Sequence, residues 1–213
     1  MTGKNEPQDR IETRSAGIAL LASAVLAVFV MLHHPTGAHG HTPLVAGLSL
    51  ANLVHAAMLV LLGVQLWAFT VYSRWRGLAG WVLPALIVYA IAFVGHLVAA
   101  TVNGFVVPAV AARVDAAAVH DLFVMLWQLN QAFAQLGVYA TGLAILFWSV
   151  DLLTAAGRRS LPAGAAGIAL AILPALALLT GMVEMNVQGA LLIYAAHMIW
   201  VALAGAGLLI HRR

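Results

Sequence analysis

Three histidines, His55, His96 and His197, lie inside long apolar stretches, and four more, His33, His34, His39 and His41, crowd the run HHPTGAHGH. An imidazole is costly in lipid, so a buried one needs a partner or a task. Three converging imidazoles can hold a transition metal such as Cu or Zn and leave one position open. Two of them can instead serve as axial ligands to haem b. The plainer alternative is a set of separate hydrogen bonds across packed helices, with Asn, Gln and Tyr as partners. The outer run, His33 to His41, can capture metal ions weakly, or simply cap a turn rich in Gly and Pro.

The segments that carry these residues belong to a membrane protein. Of 213 residues, 63% are hydrophobic and 8% charged, against roughly 25% charged in a soluble domain. The mean hydropathy is +0.99. The net charge of +3 comes from arginines at segment ends rather than from a basic face, so nucleic acid is not an expected partner. The absence of cysteine excludes disulfides, thiolate metal sites, iron–sulfur clusters and Cys nucleophiles. Lys4 is the single lysine and sits in the polar N-terminal stretch, which excludes an intramembrane Schiff base.

Residues 1–14 read as a polar cytoplasmic tail and 15–213 as one all-α transmembrane domain. Its spans are expected at about 15–32, 43–72, 79–105, 118–150, 161–182 and 187–210, each able to cross ~30 Å of hydrocarbon. The first apolar run is longer than the ~7–15 residues of a signal-peptide core, so it is expected to be a retained anchor. Arg10 and Arg14, Arg74 and Arg76, Arg158 and Arg159, and Arg212 and Arg213 fall on one side of this six-span chain. The other side receives Arg113. The positive-inside rule then makes both termini cytoplasmic and turns the His33–His41 loop outward. The expected location is a bacterial inner membrane.

Helical spacing gathers the scattered polar residues into stripes. Ser49, Asn52, His55 and Met58 follow at steps of three. Tyr89, His96 and Asn103 repeat every seven, as do Asp121, Gln128 and Gln135, with Gln131 close to the last series. Asn186 and His197 share a face. Spans two, three, four and six are therefore expected to line an interior, with one and five as covers. At ~1.5 Å per residue, His55, His96 and His197 fall in one layer of the outer half, near Gln128 and Gln131. His120, Asp121, Glu184 and the outer loop lie above.

The expected function is an outward-facing, His-lined pocket that binds a transition metal or haem. His55, His96, His197, Gln128 and Gln131 are its candidate residues, and His33, His34, His39, His41, His120 and Glu184 are possible further metal ligands. The alternatives are an accessory subunit among other membrane subunits, or a small transporter using the Gln/His stripe. Whether the chain is an enzyme is left open. No HxxxH pair of a membrane zinc hydrolase and no GxSG serine-protease motif occurs. A pair of inner-half histidines, as a two-haem electron carrier needs, is also missing.

Overall fold

The computed structural model describes residues 6–35, 43–45, 48–111, 116–155 and 161–210. Among them, six helices are long and apolar enough to cross a membrane. They are α1 (Glu6–Leu32), α2 (Leu50–Arg76), α3 (Val82–Thr101) with its continuation, α5 (Ala116–Ala155), α6 (Leu161–Leu179) and α7 (Val187–Ile210). The continuation of α3 is a π-helical turn, Val102–Val106, followed by a short α4 (Val107–Ala111). Large apolar side chains such as Val25, Phe29, Val60, Ile87, Leu173 and Leu192 point outward. That is the exterior a bilayer requires, since lipid demands no polar surface.

Several boundaries depart from the expected spans. The second does not begin near residue 43. Pro43–Val45 (β1) and Leu48–Ser49 (β2) instead pair as a small antiparallel hairpin, and α2 starts after it. The stop is local chemistry. The Ser49 hydroxyl accepts from the Asn52 amide while Ser49 N–H donates to Asn52 Oδ1 at 2.8 Å, a reciprocal cap. At the other end of the chain the polar stretch from Glu6 is helical, continuous with α1. An exposed ion pair between Glu12 and Arg74 (2.7 Å) ties it to the end of α2.

The helices form a ring. Each packs on its neighbour in the order α1, α2, α3, α5, α6, α7, and α7 returns to α1. Small residues set the close seams. A Cβ on Gly17 of α1 would stand 3.0 Å from the Gly205 carbonyl oxygen of α7, and one on Gly205 would stand 2.9 Å from that of Gly17. Gly95 brings α3 against α5, because a Cβ there would stand 2.8 Å from the Gly137 nitrogen. Backbones approach this closely only where no side chain intervenes.

One end of the ring is filled. Phe69, Trp148 and Trp200 stack at 4.8–5.6 Å between centroids, and Tyr72 closes on Trp148 and Trp200 edge-on. We call this the plug end. Arg10, Arg14, Arg74 and Arg76 lie towards it by the direction of α1 and α2. The opposite end, where α1 finishes and α2, α5 and α7 begin, is hollow.

Candidate functional site

A cavity of about 690 Å³ occupies the hollow end. It runs along α2 from Ala51 to Gln65, a depth of about 21 Å at ~1.5 Å per residue. Its walls come from α2, α3 with the π turn, α5 and α7, with Ala27 and Met31 of α1. No described residue of α6 lines it. Towards the plug, Tyr89 donates to Gln65 Oε1 (3.2 Å) and Gln65 Nε2 contacts Met198 Sδ (3.3 Å). No Asp, Glu, Lys or Arg lines it among the described residues. What lines it is imidazole, amide, hydroxyl, indole, thioether and hydrocarbon.

His34, His55, His96 and His197 all face this one cavity. They differ in what holds them. The His55 Nδ1–H donates to the Ala51 carbonyl at 2.7 Å, which leaves Nε2 to accept from the Asn103 amide at 3.3 Å. Asn103 reaches it because the π turn rotates the end of α3 towards α2, and Asn52 clamps that turn by donating to the Gly104 carbonyl (2.7 Å). The His34 ring meets His55 edge-on, 5.0 Å between centroids. Burial holds His34 below the ordinary imidazole pKa, and its hydrogen bond to the Pro35 carbonyl partly opposes this.

His96 is clamped on both nitrogens, by Thr141 Oγ1 at 3.2 Å and by the Tyr194 hydroxyl at 3.0 Å. A neutral imidazole donates from one nitrogen and accepts at the other, and hydroxyls satisfy either arrangement. His197 is different. It is 1% exposed, and among the described residues neither ring nitrogen has a partner. Stranding a buried polar group costs about 1–3 kcal/mol, so a buried group left this way calls for an explanation.

Each of these three buried imidazoles faces a glycine on another segment. A Cβ on Gly104 would overlap the His55 ring, and one on Gly137 would overlap His96. A Cβ on Gly142 would stand 4.0 Å from His197 Nε2. The residues flanking the histidines in sequence have other work, as Gly95 does in packing α3 on α5. The signal lay across the helix interface, where a single sequence shows no spacing.

The expected site residues divide accordingly. His55, His96, His197 and Gln131 reach the cavity. Among the described residues no three His, Asp or Glu side chains come together to hold a metal ion. Gln128 is a correction: it is exposed and lines no part of the cavity. The face of α5 that does so carries Phe123, Leu126, Trp127, Asn130, Gln131, Ala134 and Thr141. The Asp121–Gln128 register lies off it. His33 is exposed, donates to the Phe29 carbonyl (2.8 Å) and stays outside the cavity, as does the exposed His120. Glu184 lines a smaller hollow of about 370 Å³ alongside, with Gln131, Gln135 and Asn186. His39 and His41 fall outside the described residues.

Sequence reading missed Asn130, Thr141 and the four thioethers Met31, Met58, Met185 and Met198 as a set. Met58 lies three residues after His55, and Met198 directly follows His197, so part of that signal was present. The chain matches no protein-family model, no curated protein and no solved structure. The class defined so far is an all-α protein with six candidate membrane spans and a His-lined cavity among them.

Proposed function

We propose that the cavity binds haem b, with the His197 imidazole as its axial protein ligand. The observation that carries this reading is His197 itself: its ring borders the cavity, and neither of its buried nitrogens has a partner among the described residues, so a turn of the ring would bring one to a bound group. A metal ion needs three or four protein donors, whereas haem brings four of its own and asks for one or two. A site with one unengaged imidazole suits the second case. The volume supports it, since cavities of about 300–1,000 Å³ hold organic cofactors. The lining is mainly apolar, as a macrocycle requires, and the Asn130 and Gln131 amides offer donors to its carboxylates. With the plug-end arginines on the cytoplasmic face, the cavity opens to the outer side of a bacterial inner membrane, and both termini are cytoplasmic.

The test is an absorption spectrum and a pyridine haemochrome assay on protein purified in detergent from haem-replete cells. An intense Soret band near one haem per chain is expected. His197→Gly should lose it, and added imidazole should restore it. A monodisperse, folded wild type that stays colourless and takes up no added haemin would sink the proposal.

A further inference from the structure

We propose that the smaller hollow beside the cavity binds a primary ammonium group, with the Glu184 carboxylate as its counter-charge. This site is separate from the haem reading and does not rest on it. The hollow, of about 370 Å³, lies between α5 and the connection from α6 to α7. Along α5, Trp127, Gln131 and Gln135 follow at steps of four and form one stripe of its wall. Glu184 and Asn186, from the connection, line the same hollow. The chain leaves α6 through Gly181, whose φ of +71° favours glycine, and Val183 N–H then donates to the Ala177 carbonyl at 3.0 Å. Asn186 is held as the cap of α7, its Oδ1 accepting from Gly189 N–H at 2.9 Å. Glu184 thus stands between two fixed points.

The lining sets the charge and chemistry of the ligand. Glu184 forms no ion pair among the described residues, and no Lys, Arg or His among them lines the hollow. Gln131 and Gln135 are half-buried and have no hydrogen-bond partner among the described residues. Gln131 lines the larger cavity as well, so Gln135 is the glutamine that belongs to this hollow alone. The carboxylate and the amide oxygens are acceptors, which the three N–H groups of a primary ammonium require. The Trp127 indole, 52% exposed, lines the same hollow, and the face of an indole attracts a cation. An anion would meet an unpaired carboxylate, and a hydrocarbon would leave the amides unbonded. Because α6 and α7 are both candidate spans, their connection lies at a membrane boundary, where lipid headgroups also lie. A free amine and an aminoethyl headgroup share the chemistry that this site recognises.

The experiment uses the full chain purified in detergent. Native mass spectrometry with equal amounts of phosphatidylethanolamine and phosphatidylglycerol reads the lipid arm. Thermal unfolding in ethanolamine, against sodium chloride at the same ionic strength, reads the free-amine arm. A preferentially retained phosphatidylethanolamine makes the source a lipid, and a saturable rise in Tm with ethanolamine makes it a soluble amine. In whichever arm responds, Glu184→Gln should weaken binding roughly tenfold, as loss of one hydrogen bond to a charged group implies. Trp127→Leu should weaken it roughly threefold. Asp121→Asn removes an exposed carboxylate outside the hollow and should change neither arm. Glu184, Trp127 and Asp121 are all exposed, so the fold should survive each substitution. A wild type that responds in neither arm would overturn the proposal, as would equal losses in Asp121→Asn and Glu184→Gln. Both arms are read whether or not the chain carries haem, so failure here and failure of the haem reading are distinguishable.

Discussion

The two ends of the helix ring are built from the same α2, α3, α5 and α7, yet they treat polar groups in opposite ways. At the plug end the polar groups of Trp148, Ser73, Arg76 and Asp151 are paired around the aromatic stack. Trp148 Nε1–H donates to Ser73 Oγ at 3.2 Å, and Arg76 donates from Nε and an Nη to Asp151 Oδ2 at 2.8 and 2.5 Å. At the cavity end a fully buried imidazole, His197, has no hydrogen-bond partner among the described residues. The contrast sets the hollow end apart as the place where a buried polar group goes unmatched, at a cost of about 1–3 kcal/mol in stability.

The largest effect should come from breaking the matched end. Arg76 and Asp151 side chains are 6% and 12% exposed, so Asp151→Ala leaves a cation buried beside Trp75 and the stack. Removing one partner of such a pair costs about 3–5 kcal/mol. Denaturation of the detergent-solubilised variant should show that loss, with haem content of the surviving folded fraction unchanged. A loss under about 1 kcal/mol would mean that the pair is solvated and the plug less closed than it looks.

A smaller loss should follow from crowding the hollow end. In Gly137→Ala the new Cβ overlaps the His96 ring, which must leave Thr141 and Tyr194. Overpacking of about 1–3 kcal/mol and the broken hydrogen bonds outweigh the roughly 1 kcal/mol that Ala gains over Gly within a helix. The net expectation is about 2 kcal/mol of destabilisation. Retained stability together with an unchanged spectrum would show that His96 is free to move.

How much of this was legible follows from where each signal lives. The six apolar segments are a property of local composition, and α7 falls at 187–210 as read. The start of α2 was missed because β1 and β2 are as apolar as a helix, and the Ser49–Asn52 cap needed a short-range reading that hydropathy obscures. Helical rise and topology draw three imidazoles towards one layer, and all three line one cavity. Their state was not legible. Whether a nitrogen is bonded depends on Asn103, Thr141 and Tyr194 arriving from other helices, and on Gly104 and Gly137 making room. The α5 register was misread because conspicuous residues, Asp121 and Gln128, drew attention from Ala134 and Thr141, which carry the buried face.

The smallest effect has the opposite sign and tests the contrast most directly. His197→Leu exchanges an unsatisfied ring for an apolar side chain of similar size in an apolar wall. An unpartnered buried polar group costs about 1–3 kcal/mol, and replacing it by an apolar isostere removes that cost. The haem-free variant should therefore be more stable than the haem-free wild type, by about 1 kcal/mol, in parallel unfolding titrations. In the presence of haem the order should reverse, because only the wild type gains binding energy in its folded state. A haem-free His197→Leu that is less stable than wild type would mean that His197 is already held by a partner. The hollow end would then be no less satisfied than the plug.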